Sequence, residues 1–583
     1  GHQPMVSSSE NVIVYNGEVY NFKKMKLDLE TKGYVFVSSS DTEVILYLYE
    51  EYGSDMFSML EGIFAMAIWD QAKQELIISR DGLGVKPLYY SETHKGVVFA
   101  SEIKALSPLV DFAKMEVDAP SLNRYLAFLY CPGDGTPLKQ IRKAPPGEFL
   151  IIKNGVITLR KRFYKLPLTR GFKKSNLSRK KIVDQLDEKL RTAVHSQMVS
   201  DVPIGAFLSG GLDSSSIVHY ASEVQPNIRC FTIKVDEKTT DGMENDLPFA
   251  ERVAEHLGVE LSIISVDSER MAKGLESMVI QLDEPLADPA PLNVGFISEL
   301  ARSKDIKVLL SGSGGDDIFT GYRRHRALSV DQYVSLLPST VLSYLEKVTG
   351  KLDPSIVVFR RLAKLFNGAP LKGNERIVNY FRWIKHKDLY PLFTPSFKND
   401  LAADIAESTM YNFLDELPLS LSPLDRMLAL EQRFFLADHN LNYTDKMAMA
   451  SGIEVRVPLL DENLMQFVDT IPDNLKQRGK HGKWIFKKTM EKHLPKSVIY
   501  RSKTGFGGPL RSWLNFELRE LRESLLSPQS LRRRGIFEPA AVSSLIERNN
   551  RNDVDAAYTI LSLMCIEIWF RHFVDDVPSL SGV

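Results

Sequence analysis

The sequence predicts an α/β protein with an α+β first part and a parallel-sheet second part whose carboxy-terminal half is helical. Up to about residue 165, short apolar runs alternate with turn signals, a pattern typical of antiparallel strands. From about residue 180, strands alternate with amphipathic helices, which indicates a parallel sheet with helices on its faces. From about residue 326 to the end, helical spacing dominates.

The composition is that of an ordinary globular protein. Among 583 residues, 44% are hydrophobic, and 73 Lys and Arg against 74 Asp and Glu leave a net charge of −1. This excludes a disordered tail protein and a generally basic nucleic-acid-binding protein. Cys131, Cys230 and Cys565 are too scattered for a disulfide framework, so we expect reduced, buried thiols in a cytoplasmic protein. The run of about 18 apolar residues that a membrane span requires is absent.

Short-range patterns mark the elements of the first part. An apolar run over residues 12–15 predicts a strand that ends at the turn dipeptide Asn16-Gly17. Residues 41–52 have the apolar spacing of a helix. Further strands are predicted over residues 63–69, 75–79, 97–100 and 148–153.

A polar, basic linker over residues 166–179 separates the first domain, residues 1–165, from the second, residues 180–575. Ser178 is in position to cap an amphipathic helix at the start of the second domain. Strands are predicted over residues 202–208, 228–235, 261–266 and 307–310, with a helix over residues 247–257.

A glycine-rich turn follows the strand over residues 202–208. Backbone N–H groups at such a turn, together with the helix N-terminus that follows, bind anions. Serine hydroxyls at the turn are donors to phosphate oxygens, and Asp213 is a plausible ligand of Mg²⁺. The Walker pattern GxxxxGK[ST] and the pattern GxGxxG are both absent. As a bare pattern, the glycines could also serve the turn alone.

The turn resembles the SGGxDS pyrophosphate-binding loop of N-type ATP pyrophosphatases, which cleave ATP to AMP and pyrophosphate while adenylating a substrate. Together with further segments, it resembles the synthetase domain of glutamine-dependent asparagine synthetases, an adenine-nucleotide α-hydrolase-like fold. The further segments are Asp283-Glu284-Pro285, residues 309–317, Gly321-Tyr322, residues 445–450, residues 454–461 and residues 501–506.

The resemblance implies a set of site residues and two cofactors, ATP and Mg²⁺. Asp213 and Asp316 would hold the metal, and Lys483 would contact phosphates and stabilise charge as the α-phosphate is attacked. The residues implied to bind ATP and pyrophosphate are Ser209, Gly210, Gly211, Asp213, Ser214, Ser215, Thr232, Ile233, Ser311, Gly312 and Lys483. We interpret Glu454 and Arg456 as a structural ion pair near this site.

The first domain resembles class II glutamine amidotransferase domains, which have an Ntn-hydrolase-like layered sandwich. The matching segments are residues 15–21, 40–43, 80–90 and 100–102. In that family an N-terminal cysteine attacks the glutamine amide, with its own amino group as base. Asn16 and Gly17 would form the oxyanion hole, and all four of Asn16, Gly17, Glu18 and Asp41 would bind glutamine. As a bare dipeptide, Asn16-Gly17 could also be only a hairpin turn.

The chain departs from that family at its start, because Gly1 aligns several dozen residues into the family domain. The nucleophilic cysteine is therefore missing, and the chain as written should not hydrolyse glutamine. We expect a truncated domain; a relic that takes ammonia from solution is the competing hypothesis. The resemblance further implies an internal ammonia channel and small-molecule substrates (glutamine, ATP and a carboxylate), with no nucleic acid and a possible homodimer.

The carboxylate acceptor stays open between free aspartate, which we favour, and a uronic-acid sugar in surface polysaccharide synthesis. Ser313 stands where asparagine synthetases usually have Glu, and Asp317, Tyr443 and Lys446 also replace the usual residues. These changes resemble the branch of the family found in polysaccharide gene sets. A β-lactam-forming synthetase shares the same scaffold, and a nucleotide-binding protein without turnover is a hypothesis from another functional class. A basic, aromatic segment over residues 359–387 could receive a bulky anionic saccharide or be only a solvated helical face.

Overall fold

Backbone pairing divides the chain into an antiparallel first part and a parallel second part, as predicted. The computed structural model describes residues 1–171, 173–235, 246–352, 356–401, 404–501 and 510–575. The strands are β1 Met5–Val6, β2 Val12–Val19, β3 Gly62–Asp70, β4 Glu75–Arg80, β5 Tyr89–Thr93, β6 Gly96–Ala100, β7 Ile141–Lys143, β8 Glu148–Lys153, β9 Val156–Arg162, β10 Ile204–Phe207, β11 Arg229–Val235, β12 Glu260–Val266, β13 Val308–Leu310 and β14 Glu454–Arg456.

Helices cover these sheets and make up most of the chain after β13. The α-helices are α1 Phe22–Thr31, α2 Asp41–Tyr52, α3 Ala119–Phe128, α4 Arg179–Ser196, α5 Leu212–Val224, α6 Leu247–Leu257, α7 Ser268–Leu282, α8 Ala290–Ser303, α9 Gly315–Phe319, α10 Arg323–Val334, α11 Ser339–Thr349, α12 Val357–Phe366, α13 Gly373–Asn379, α14 His386–Leu389, α15 Pro395–Leu401, α16 Ser408–Asp415, α17 Pro423–Leu430, α18 Asn442–Met449, α19 Glu462–Thr470, α20 Asp473–Lys476, α21 Trp484–Met490, α22 Lys496–Ile499, α23 Leu510–Asn515, α24 Arg519–Leu525, α25 Pro528–Arg534, α26 Pro539–Asn550 and α27 Ala557–Phe570. Two π-helical segments span Glu431–Leu441 and Arg571–Asp575, and 3₁₀ turns span Gly53–Met59, Ile103–Leu106, Phe112–Lys114, Pro167–Arg170, Tyr390–Leu392 and Pro458–Leu460.

The first part is a layered sandwich. Its main sheet has the strand order β1-β2-β3-β4-β8-β9, and a smaller sheet has the order β6-β5-β7. Apolar side chains of α2, such as Val44 and Leu48, pack on one face of the main sheet. The other face, including Ala65 and Ile78, packs against Tyr90 of the smaller sheet. The predicted α+β class is confirmed.

Asn16-Gly17 is not a hairpin turn, so that reading of the dipeptide is wrong. Strand β2 runs straight through it to Val19, pairing Asn16 with Ala65 and Gly17 with Phe64 of β3. A Cβ atom on Gly17 would lie 2.0 Å from the carbonyl oxygen of Ile63, so the close approach of the two backbones requires glycine there. Pairing across the sheet overrides the local turn preference of the dipeptide.

The second part is built on a parallel sheet with the order β12-β11-β10-β13-β14. The four strands predicted here are present, although β10 and β13 are shorter than predicted. Ser178 caps α4 as expected, its hydroxyl accepting from the Lys181 N–H. Strand β14 was not predicted, because it is three residues long and lies in an otherwise helical region.

The carboxy-terminal helix α27 and the π-helical turn that follows it form the most apolar continuous segment. Within the described residues, Ala557–Asp575 is the one helix long and apolar enough to cross a membrane by length and composition, although 78% of it is buried inside the protein. Glu567, Arg571 and Asp575 interrupt this helix, so it is not an unbroken run of about 18 apolar residues. Cys565 on this helix is buried and free, as are Cys131 and Cys230, which confirms the expectation for the thiols.

A network of buried charges joins the two domains. Lys86 of the first domain forms an ion pair of 2.8 Å with Asp445 of the second. Lys446 bonds to Asp283, and its ammonium also donates to the hydroxyl of Tyr89, 2.8 Å away. These side chains are almost completely buried, so Lys86 depends on Asp445 across the interface, and Lys446 depends on Asp283 within the second domain.

Removing one member of this network should destabilise the protein strongly. In Lys86→Met, Asp445 stays buried without its cation, and we expect a loss of about 3–5 kcal/mol in the free energy of unfolding. The double variant Lys86→Met/Asp445→Leu should recover most of that loss, because no lone charge remains. Urea unfolding followed by circular dichroism measures both.

Lys24→Met, which alters an exposed lysine on α1, is the control. A single variant no less stable than this control would mean that the ion pair does not hold the domains together.

Candidate functional site

The glycine-rich turn after β10 has the conformation that an anion-binding loop needs. Gly210 has a φ of 65°, and a Cβ atom on it would lie 2.3 Å from the backbone nitrogen of Ala250, so only glycine fits. The hydroxyls of Ser209 and Ser214 lie 3.1 Å apart across the turn. Helix α5 begins at Leu212 without a side-chain cap, which leaves its first N–H groups facing the turn.

A second glycine-rich turn, after β13, packs directly against the first. A Cβ atom on Gly312 would lie 2.9 Å from the Cβ of Asp213, and one on Gly315 would lie 2.6 Å from its carboxyl carbon. Ser311 is anchored to β14 through its backbone N–H, which donates to the carbonyl of Arg456 at 2.8 Å. Small residues therefore let the two loops share one surface at the carboxyl ends of β10 and β13.

The Lys483 ammonium forms ion pairs with both Asp213 and Asp316. Its ammonium nitrogen lies 2.5 Å from a carboxylate oxygen of each. Burial by itself would lower the pKa of Lys483, but the two carboxylates outweigh it and raise the pKa, so the side chain is a cation. Lys483 has a φ of 54°, unusual for a side chain other than glycine, at the start of α21.

The two carboxylates fit the magnesium site expected from the sequence. Mg²⁺ at a polyphosphate takes one or two carboxylates and completes its shell with water and phosphate oxygens. Asp213 and Asp316 already enclose a cation, the Lys483 ammonium, at the mouth of an anion-binding loop. A Cβ atom on Gly321 would lie 1.6 Å from a carboxylate oxygen of Asp316, so glycine is required beside that ligand too.

Most of the predicted nucleotide residues come together here. Ser209, Gly210, Gly211, Asp213, Ser214, Ser311, Gly312, Asp316 and Lys483 line the two turns and the start of α21. Ser215 follows on α5 and is fully buried. Thr232 and Ile233 lie on the neighbouring strand β11, in its carboxyl half, as a base-binding position on this sheet edge would require.

Two further cations reach the site, and the sequence analysis did not single them out individually. Lys487 lies one helical turn after Lys483 and is close enough that Lys483 contributes to lowering its pKa, after the effect of burial. Arg501 pairs with Asp246 at 2.9 Å and donates to the carbonyl of Ser209 at 3.5 Å. The sequence feature that could have identified Lys487 is its position four residues after Lys483. The rest of the motif that begins at Arg501, Ser502–Phe506, lies outside the described residues.

The predicted glutamine site also assembles, on β2 and the start of α2. Asp41 accepts from the hydroxyl of Tyr15 at 2.9 Å and from the backbone N–H of Val19 at 3.1 Å, which brings it beside Glu18. Asn16 is held by a weak bond of 3.4 Å to the hydroxyl of Ser101. The two carboxylates and the Asn16 amide thus share one end of the first domain.

Arg456 connects this glutamine site to the second domain. Its guanidinium lies 3.2 Å from Glu18 and 2.7 Å from Glu454, so the expected pair of Glu454 and Arg456 exists but extends to Glu18. Burial raises the pKa of Glu18 to about 7, even though Arg456 opposes the shift. Glu18 therefore changes charge near neutral pH.

Of the positions that differ from the usual family residues, Ser313 and Asp317 lie in the second glycine-rich turn and in helix α9 after it. The Ser313 hydroxyl lies 2.9 Å from that of Ser311. Tyr322 donates to Asp317 at 3.2 Å and accepts from the amide of Asn440 at 3.0 Å. The Lys446 ammonium makes its contacts in the buried charge network at the domain interface described above. The sequence could not show that this substitution belongs to the interface and not to the reacting groups.

Comparisons with known proteins give two family matches that together span most of the chain. The model of the asparagine synthase family matches residues 185–571. The model of a glutamine amidotransferase domain matches residues 1–164.

Individual relatives extend over almost the whole chain. Glutamine-hydrolyzing asparagine synthetase 1 of Bacillus subtilis is 31% identical over 98% of this chain and 87% of its own length. A putative asparagine synthetase of Mycobacterium tuberculosis is 29% identical over 100% of this chain and 88% of its own. Amidase chyE of Penicillium rubens is 25% identical over 94% and 84%. Relatives that align with nearly the whole chain therefore have different functional names.

The raised pKa of Glu18 predicts a pH-dependent difference in stability from Glu18→Gln. Below its ordinary pKa of 4.5, Glu18 is protonated in both the native and the unfolded chain, so the difference in stability from the variant is constant there. Between about pH 4.5 and 7 the unfolded chain ionises Glu18 while the native protein keeps it protonated, so wild type should lose on the order of 1–3 kcal/mol relative to the variant. Most of this loss should lie between pH 5 and 7, with little further change from pH 7 to 8.

Urea unfolding of both proteins at pH 5, 6, 7 and 8 measures this difference. Glu30→Gln, on the exposed side of α1, is the control and should show no such trend. A wild type that gains stability over Glu18→Gln with rising pH would show that Arg456 outweighs burial and that the pKa of Glu18 is lowered.

Proposed function

Because this chain belongs to the asparagine synthase family, we propose that its second domain activates a carboxylate with ATP and converts it to an amide. The observation that carries the proposal is the meeting of Asp213, Asp316 and Lys483 at two glycine-rich turns. Such a site suits cleavage between the α- and β-phosphates, since it offers donors and cations to a departing pyrophosphate.

In the first half-reaction, an oxygen of the acceptor carboxylate attacks the α-phosphorus of ATP. The bond to the β-phosphate oxygen breaks, and pyrophosphate leaves with that electron pair. Lys483, with Lys487 nearby, would offset the negative charge that collects on the leaving group. Asp213 and Asp316 would hold Mg²⁺, which neutralises phosphate charge when bound.

In the second half-reaction, ammonia attacks the acyl carbon, and AMP leaves with the electrons of the acyl–oxygen bond. One proton must leave the attacking nitrogen. Serine at position 313 is not a base at neutral pH, so in this proposal the amine arrives neutral and AMP phosphate oxygens or solvent accept its proton. We further propose that glutamine is the natural nitrogen source, held by Asn16, Gly17, Glu18 and Asp41, and that the reaction takes place in the cytoplasm.

Aspartate is the first acceptor to consider. The Bacillus subtilis and Mycobacterium tuberculosis relatives are named as asparagine synthetases, and we propose the same conversion for this chain. The Penicillium rubens relative is named as an amidase instead, so the family alone does not determine the acceptor.

A specific surface favours a second candidate, a sugar carboxylate. Lys364 lies 5.0 Å above the ring of Trp383, which is 44% exposed and packs 4.9 Å from the ring of Tyr558. Burial and then the charges of Arg361 and Arg360 lower the pKa of Arg323, the residue after Tyr322. An exposed ring bordered by cations suits an anionic saccharide, and Arg323 directly follows Tyr322 in the sequence.

The proposed adenylation is tested by pyrophosphate release from ATP and Mg²⁺ with ammonium as nitrogen donor. L-Aspartate is compared with uronic acids and with uridine-diphosphate-linked uronates. With the accepted carboxylate, Asp213→Asn should lower the rate on the order of 100-fold or more, because a ligand of the metal and a partner of Lys483 are lost together.

Asp184→Asn, an exposed change on α4, is the matched control and should keep full activity. An Asp213→Asn protein as active as this control would refute the role of the site. ATP binding without release for any acceptor would instead support a nucleotide-binding scaffold.

Trp383→Ala separates the two acceptor candidates. If a sugar carboxylate is the acceptor, losing the ring should raise KM for it about tenfold, the effect of losing one stacking contact, with little change for ATP. If aspartate is the acceptor, the same variant should behave as wild type. Phe516→Ala, another exposed aromatic residue, is the control. Steady-state kinetics with the active acceptor gives both constants.

A further inference from the structure

A cavity of about 130 Å³ lies where the two domains and the linker meet, and its lining includes none of the predicted glutamine-binding or nucleotide-binding residues. Its walls come from the loop at Gly82 and Leu83, from Tyr164 and Lys165 just before the linker, and from the π-helical segment Glu431–Leu441. A Cβ atom on Gly82 would lie 2.7 Å from the Tyr164 ring, so this wall is closely packed. The space admits several water molecules or one small ligand.

The floor of the cavity holds polar groups that the protein itself does not satisfy. Gln432 is 1% exposed, and neither atom of its amide has a hydrogen-bond partner among the described residues. One guanidinium nitrogen of Arg433 is likewise buried without a partner in that part of the chain. Buried polar groups are nearly always hydrogen-bonded, so two adjacent unsatisfied side chains facing one cavity call for a ligand or ordered water.

The charge around the cavity is positive. Arg162, Lys165 and Arg433 line it, with Glu416 as the one acidic lining residue. Glu416 lies 3.7 Å from Arg162, which also pairs with Glu148 at 3.1 Å. Within the described residues, Arg433 has no carboxylate within ion-pair distance, and burial followed by the charges of Arg162 and Arg80 lowers its pKa against the pull of Asp438. A guanidinium in this position is stabilised by an anion.

The backbone of the floor adds a second, independent indication. Gln432 and Arg433 lie in a π-helical stretch, a rare conformation that occurs frequently at functional sites. Both of these consecutive side chains line the cavity together with residues of the first domain. The same stretch carries Glu431, which pairs with Arg324 beside Tyr322, and Asn440, which donates to Tyr322.

We propose that this cavity binds a small oxyanion, a phosphate or carboxylate group, between Arg433, the Gln432 amide and Arg162, and so strengthens the contact between the domains. The guanidinium of Arg433 and the amide nitrogen of Gln432 donate to the anion's oxygens, which satisfies two donors that the protein leaves unsatisfied, and the amide oxygen of Gln432 is left to a water molecule. Because the ligand touches Arg162 of the first domain and Gln432 and Arg433 of the second, binding favours the docked arrangement over any separated one. The site is independent of the proposed reaction.

The experiment is a thermal-unfolding and calorimetric titration of the full chain with inorganic phosphate and, separately, with citrate. Sodium chloride at matched ionic strength is the reference. Each active anion should raise Tm in a concentration-dependent manner. A response to phosphate alone identifies a phosphoryl ligand, and a response to citrate alone identifies a carboxylate ligand.

Variants separate this cavity from the nucleotide loops, which also attract phosphate. Arg433→Gln should weaken binding by about tenfold or more, the effect of losing a charge-assisted hydrogen bond, whereas Lys483→Met should leave binding at the cavity intact. Arg162→Gln at the exposed rim should weaken binding without endangering the fold, and Arg160→Gln on the same strand is its matched control. Equal shifts in wild type, Arg433→Gln and Arg162→Gln, or no shift beyond sodium chloride, would overturn the proposal.

Discussion

The arrangement of the two domains depends on charges that are buried between them. Lys86 with Asp445, and Lys446 with Asp283, are almost inaccessible to water. Lys143 of the first domain adds contacts of 3.4 Å to Glu284 and 3.7 Å to Asp438. A charge removed from water is tolerated only beside its partner, so sliding one domain by a few ångströms would leave several ions unpaired at once. Apolar contacts alone would define the arrangement less sharply.

Because the two domains are held in one arrangement, Arg456 can contact residues of both predicted sites. Its side chain reaches Glu18 in the predicted glutamine site, while its carbonyl accepts from the N–H of Ser311 in the nucleotide turn. The strand that carries it, β14, pairs with β13 in the sheet. A shift of β14 would therefore move the partner of Glu18 and the anchor of the second glycine-rich turn together. In the proposed reaction, Arg456 therefore contacts both sites through non-covalent bonds, an ion pair to Glu18 and a hydrogen bond from Ser311.

Sequence patterns predicted correctly those elements that depend on interactions between neighbouring residues. The bounds of α2 and the cap at Ser178 follow from helical spacing and capping chemistry, and both are present as predicted. The turn reading of Asn16-Gly17 was wrong because pairing with β3, about fifty residues away along the chain, extends the strand through it. Strand β14 has no apolar run to reveal it, and it exists because β13 offers an unpaired edge.

Sequence motifs predicted the residues of the candidate site, but they did not predict the contacts of that site with other parts of the protein. Motif positions located Asp213, Asp316 and Lys483, whose convergence the fold then produces. Nothing in the sequence links Glu18 to Arg456, because that contact depends on how whole domains dock. The same holds for the cavity at Gln432 and Arg433, which lie in a helix whose π-helical backbone no residue pattern signals.

The charges at the two glycine-rich turns indicate which step of the proposed reaction the protein would assist. Lys483, Lys487 and Arg501 gather around the turns, and Asp213 and Asp316 hold the first of them in place. The Ser313 hydroxyl, by contrast, meets only the hydroxyl of Ser311 among its hydrogen-bond contacts in the described structure. Cations stabilise a departing pyrophosphate, whereas a hydroxyl paired with a hydroxyl removes no proton at neutral pH. In the proposed reaction, adenylation is therefore the step that these residues would assist most directly, and amide formation would rely on a nitrogen that arrives already neutral.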